Sequence, residues 1–208
     1  IAEDKLKEEK GKWEKGKTRT GTASLLRDVI EAAEKKILAY IDEKNPELPE
    51  KELIARQIGI SALTFNDLKN RRLMDVKFDW DSALSFDGAT GPYVQNAHVR
   101  LCSIMRKAGY VVKQEEVDFS QLTDDAAYEL IKLLARKGER VESACEMEEP
   151  SVLAQYALEL SEAAHRFIHN DRVLGSAEEK SRLYLVQSAQ CVMENVLDLL
   201  GLFPIRQM

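Results

Sequence analysis

Apolar residues recur at spacings of three and four from Leu26 onward. Val29, Ile30, Ala33, Ile37, Tyr40 and Ile41 share one stripe, and the run stops at Asn45-Pro46. That period predicts an amphipathic helix, and the proline predicts its end. After Pro49, Ile54, Ile58, Ala62, Phe65 and Leu68 repeat the pattern, with Gly59 marking a close helix contact. The character changes from Val76 to Gly91: V-K-F-D-W-D alternates as a short strand or extended loop would, and S-F-D-G-A-T-G is turn chemistry. Pro92 then opens a helix whose apolar face is Val94, Ala97, Leu101, Ile104, Met105 and Ala108, capped by Gly109.

Thr123-Asp124-Asp125 reads as an N-cap that opens a helix through Leu130, Leu133 and Leu134 to Gly138. Pro150 opens another through Leu153, Tyr156, Ala157, Leu160, Ala164 and Phe167. The last carries Leu183, Val186, Met193, Val196, Leu197 and Leu200 and stops at Gly201, before Pro204. At least six helices with almost no strand signal predict an all-α bundle, with a short extended segment near 76–91. No internal repeat is visible.

Composition narrows the partners. The 208 residues are 44% hydrophobic and 32% charged with net charge −6, a globular balance that argues against a broad basic surface for sequence-independent nucleic-acid binding. No apolar run reaches the roughly 18 residues that cross a bilayer, and no signal peptide is seen, so a soluble, cytoplasmic protein without membrane contact is expected. Cys102, Cys145 and Cys191 stand far apart and are expected to be buried small apolar residues. Residue 1 is Ile, so either the start was removed or the chain is a piece of something longer. Residues 1–19 hold seven basic and five acidic residues and are expected to be solvated.

Catalytic material is sparse. There is no P-loop, G-x-G-x-x-G, H-E-x-x-H or G-x-S-x-G. His98 sits beside Ala97, Leu101 and Met105, where it reads either as a satisfied core histidine or as a ligand. His165 and His169, four apart, have a spacing that can hold a metal, but no third ligand is evident and no metal site is assigned. Trp80 reads as a core anchor and Trp13 as a surface or interface ring. Lys69, Arg71 and Arg72 form either a solvated helix end or a phosphate contact.

The stretch from Ile58 to Tyr110 carries F-D-W-D at Phe78–Asp81, then Ser85, Phe86, Gly88, Thr90, Gly91, Pro92, Tyr93, Gln95, Ala97, His98, Arg100 and Leu101 at fixed spacings. It resembles the corresponding part of arginyl-tRNA synthetase. Upstream, Lys17, Thr18, Arg19, Thr20 and Gly21 resemble the form this family uses for the class I K-M-S-K-S loop. Downstream, Pro150, Leu153, Tyr156, Arg166, Phe167, Val173, Arg182, Leu183, Leu199, Leu200, Gly201 and a terminal Met208 resemble its anticodon-binding domain.

The resemblance implies a division into a catalytic-domain remnant at 1–25, a helical stem-contact region at 26–90 and an anticodon-binding domain of the class I synthetase type at 91–208. No H-I-G-H motif is present, which implies the C-terminal portion of a longer enzyme that ligates arginine to tRNA(Arg) with ATP and Mg2+. This portion alone is expected to be catalytically inactive and to bind neither ATP nor Mg2+. In the family, the turn ending the Pro150 helix and the C-terminal tail contact the anticodon. This implies roles for Arg166, Phe167, His169, Arg172 and Met208, with Arg182 either in contact or bracing from within. Tyr93, Gln95, His98, Arg100, Arg106 and Lys107 are further tRNA-facing expectations, and Lys69, Arg71 and Arg72 are phosphate candidates.

Asn96 and Ile168 stand where the family commonly has Tyr, and Gln207 departs from its usual ending. An Arg172 guanidinium plane can stand in for a lost ring. The parent family is often monomeric. The alternative is a stand-alone paralogue that keeps the bundle as a protein-interaction or regulatory module.

Overall fold

The computed structural model describes residues 25–208 apart from Lys77 and Asp171. Trp13 and the loop Lys17–Gly21 therefore lie outside the described residues, as does the whole charged start. Eight α-helices and no strand are found among the described residues: α1 Leu26–Lys44, α2 Lys51–Leu68, α3 Trp80–Leu84, α4 Gly91–Ala108, α5 Asp125–Ala135, α6 Lys137–Glu146, α7 Ser151–Asn170 and α8 Glu179–Leu199. Two 3-10 turns, Gln114–Glu116 and Phe119–Gln121, link α4 to α5.

Local chemistry sets most boundaries. The Thr90 hydroxyl accepts from the Tyr93 N–H to start α4, and Gly109 ends it at a left-handed φ of 75°. The Asp124 carboxylate accepts from the Ala127 N–H to start α5. Two elements differ from the sequence reading. Residues 80–84 form the short helix α3 within the stretch read as extended, begun by the Asp79 carboxylate accepting from the Ser82 N–H, while Asp79 and Ser85 on either side keep extended backbone. The helix from Asp125 ends at Ala135 and not at Gly138; the chain breaks at Arg136 and a separate α6 runs to Glu146. The cysteines also divide: Cys102 is buried, whereas Cys145 and Cys191 are exposed on polar helix faces.

Burial organises the helices into two clusters. The larger joins α4, α5, α7 and α8 with Phe65 of α2, around Leu101, Leu130, Tyr156, Leu160, Phe167, Leu183 and Met193. The smaller joins α1 and α2 through Ile37, Ile41, Leu48, Ile54 and Ile58. The tail after α8 stitches them together, because Leu202 belongs to the first and Ile205 to the second, with Met208 against it. No described helix is long and apolar enough to cross a membrane.

Close backbone approach fixes α2 against its neighbours. A Cβ at Gly59 would lie 3.2 Å from the Glu34 backbone nitrogen on α1, as its place in the pattern suggested. At Gly91, the first residue of α4, a Cβ would lie 2.7 Å from the Ser61 carbonyl oxygen and 3.1 Å from the Ala62 Cα. Backbone cannot yield as a flexible side chain can. Gly91→Ala is expected to destabilise the fold by about 1–3 kcal/mol, the usual range for overpacking, read as a lower urea midpoint at unchanged slope.

Candidate nucleic-acid interface

α4 has two faces that do different work. Its buried face holds the tail. The Gln95 amide donates to the Ser61 hydroxyl at 3.0 Å and to the Phe203 carbonyl at 2.8 Å, while the Phe203 N–H donates to the same hydroxyl at 3.1 Å. One turn on, His98 Nδ1 lies 2.8 Å from the Ile205 carbonyl. A carbonyl only accepts, so Nδ1 carries the proton and Nε2 is left as an acceptor, 3.6 Å from Cys102 Sγ. Gln190 donates to that sulfur at 3.4 Å. Farther along, Arg106 donates to the Arg206 carbonyl at 2.9 Å, and the Arg206 guanidinium pairs with Glu194 at 3.0 Å. Asn45 reaches the Met208 carbonyl at 3.4 Å.

At about 100° per residue, Tyr93 and Arg100 lie on the far side of α4 from Gln95 and His98. There they meet α7: the Tyr93 and His165 rings are 5.1 Å apart, and an Arg100 guanidinium nitrogen is 3.3 Å from His165 Nδ1. Guanidinium only donates, so His165 accepts at Nδ1 and its proton sits on the buried Nε2. Burial lowers the His165 pKa, and the Arg100 charge lowers it further. Burial, then the Glu162 and Asp87 charges, raises that of Tyr93.

The site residues expected from the sequence thus separate. Arg166, His169 and Arg172 are exposed where α7 ends. Arg166 pairs with Glu162 one turn back at 2.9 Å. Arg182, largely covered, pairs with Glu178 at 3.7 Å and donates to the Arg172 carbonyl at 3.4 Å, a bracing geometry that shapes the turn from beneath. Arg100, Arg106 and Lys107 are exposed and Tyr93 is half-buried. Three expectations of direct contact are corrected. Gln95, His98 and Phe167 are 0% exposed, the first two holding the tail and the third inside the larger core, so none can touch a surface ligand in this conformation. Met208 is half-buried against the α1–α2 cluster.

Other residues shift role as well. Trp80 is half-buried at a cleft edge rather than a core anchor, and Ile168 packs against the larger core. Lys69 donates to the Ala89 carbonyl at 3.0 Å, bracing the turn before α4, and burial lowers its pKa. Arg72 pairs with Glu148 at 3.3 Å. Among the described residues no group of three or more His, Cys, Asp or Glu side chains is placed to hold a metal ion. Sequence reasoning missed the part played by Ser61, whose hydroxyl carries no pattern signal.

The buried His98 and the half-buried His165 set a pH dependence. Burial holds the His98 pKa below its ordinary 6.5, outweighing the raising effect of the Ile205 carbonyl. Both folded-state values lie below the unfolded one, so under acid the unfolded chain takes protons that the native chain refuses. Their stabilisation is complete above 6.5 and is lost as pH falls below it. The urea midpoint is expected to fall between pH 7.5 and 5.5, and His98→Asn, whose amide can still donate to Ile205, should reduce that fall.

Residues 94–208 match the model of the DALR anticodon binding domain, and residues 8–80 match that of the class I (R) tRNA synthetase catalytic domain. The arginine–tRNA ligase 1 of Bacillus cereus is 42% identical over 185 residues, covering 88% of this chain and 32% of the relative. The arginine–tRNA ligase of Clostridium botulinum is 40% identical over 194 residues, covering 92% of this chain and 34% of the relative. Among solved structures, the Thermus thermophilus arginyl-tRNA synthetase superposes with TM-score 0.83 at 37% identity, covering 89% of this chain and 32% of that one. The Plasmodium falciparum enzyme gives 0.76 at 26%, with 88% and 32% covered. The chain therefore spans about a third of the length of the curated relatives it matches. With more than half of its residues matched by that one model, the chain belongs to the DALR anticodon-binding domain family.

Proposed function

We propose that this chain is the tRNA(Arg)-binding portion of an arginine–tRNA ligase. The observation that carries the reading is the DALR anticodon-binding match over 94–208 beside a class I synthetase match over 8–80. The ligation of arginine to tRNA, with ATP and Mg2+, belongs in this reading to the longer enzyme. The loop Lys17–Gly21 is assigned to closing over ATP phosphates there, and no described residue is assigned to that chemistry.

RNA readers of this kind unstack loop bases, stack them on planar groups and bond their exposed edges. The exposed Arg166, His169 and Arg172 supply planar and donor groups at the α7 end, and Arg182 fixes the turn that carries Arg172. The tail offers Phe203, 38% exposed, and the exposed Arg206. Gln95, His98 and Arg106 act by holding that tail in one path. Basic groups on α4, including Arg100 and Lys107, give sequence-independent phosphate contacts that set register. A monomer acting in the cytoplasm completes the reading.

The test is a gel shift of the full chain with tRNA(Arg) and with a variant altered at the middle anticodon base. Cognate RNA is expected to bind about tenfold or more tightly, the scale of one lost base contact. Equal affinity for both, and for an unrelated tRNA, would instead favour a protein-interaction module. Arginine-dependent pyrophosphate exchange by this chain alone is expected to be absent.

A further inference from the structure

Outside these faces, a cleft of about 440 Å3 opens between α1 and the segment from α3 to Asp87. Its volume is that of a small-molecule site. Its walls are aromatic: Tyr40 and Phe86 stack at 4.5 Å with planes 18° apart, and the Trp80 ring is held edge-on by Phe78 at 4.9 Å. Tyr40 remains 39% exposed, so ring surface faces the opening. Asp81 and Asp87 complete the lining, outnumbering the one basic residue, Lys36.

Ring faces are negative and attract cations, and a guanidinium adds planar stacking and a fork of donors matched to carboxylates. The chain already shows the attraction, because the Lys36 ammonium sits 5.9 Å over the Trp80 ring. Two carboxylates at the opening disfavour a phosphate-bearing ligand. The cleft joins α1, inside the first matched stretch, to residues 81–87, which lie between the stretches matched by the two family models. None of its lining residues is among those assigned to RNA contact, although Ile37 shares a hydrophobic cluster with Ile205 of the tail.

We propose that this cleft is a binding site for a guanidinium group, the side chain of arginine being its simplest carrier. The guanidinium stacks on the exposed aromatic surface at Tyr40 and Phe86 and donates to Asp81 and Asp87, while Lys36 competes with it for the ring field. The proposal does not depend on tRNA binding.

Trp13 and Trp80 are the two tryptophans, so a Trp13→Phe background, excited selectively at tryptophan, leaves Trp80 at the cleft as the sole source of the signal. Methylguanidinium chloride, titrated at constant ionic strength against sodium chloride, is expected to change that fluorescence saturably, with methylammonium several-fold weaker. Free arginine and N-acetylarginine amide separate two sources: equal binding assigns recognition to the side chain as carried by any polypeptide, and preference for free arginine assigns it to the amino acid. Asp81→Asn with Asp87→Asn should weaken binding about tenfold, the scale of two exposed ion pairs. Lys36→Met should tighten it, an effect that loss of folding cannot mimic. No saturable change, an unaltered response in the double carboxylate variant, or tighter binding of AMP than of methylguanidinium would overturn the proposal.

Discussion

The capture of the last residues by two buried polar side chains of α4 is the constraint on which the rest depends. Gln95 and His98 are 0% exposed, and each would be costly without a partner. Their partners are backbone carbonyls of Phe203 and Ile205, supplied from a segment with no regular structure of its own. Because Leu202 enters one hydrophobic cluster and Ile205 the other, this capture also couples the α1–α2 pair to the remaining helices. The polar bonds set the path and the apolar burial gives it weight.

A single helix thereby serves two surfaces. One side of α4 is dry and fixes the tail, while the other carries Tyr93 and Arg100 against His165. A rotation of α4 moves both, which is why backbone contact at Gly91 bears on more than local packing. Exposed groups at the α7 end rest on the same core through Phe167 and the largely covered Arg182. The α7 end and the tail are thus anchored in the same core, through Phe167 and Leu202.

Much of this was legible in the sequence. Stripes of apolar residues with Pro92, Asp124 and Gly109 at their ends announced the helices, because capping and periodicity are local physics, whereas the Thr90 cap showed only in the structure. α6 was not legible, since K-G-E-R-V-E-S-A-C-E has few apolar residues and no buried one, and its helix is secured by neighbours. α3 is a five-residue helix whose alternating approach imitates a strand. The roles of Gln95 and His98 were hidden for a different reason: whether a polar residue faces solvent or a carbonyl depends on chain more than 100 positions away. Motif resemblance marked these positions without saying which side of the surface they occupy. Phe167 likewise has the composition of a stacking platform and the location of a core residue.

That distance along the chain has a consequence for synthesis. The Phe203 N–H meets Ser61 across 142 positions, and the Arg206 carbonyl meets Arg106 across 100. During translation, α2 and α4 emerge long before the segment that satisfies them, and contacts of such separation form late. A nascent chain stalled or nonsense-terminated before Phe203 carries exposed amide and imidazole groups beside bare aliphatic surface, the signature by which chaperones and proteases sort incomplete products.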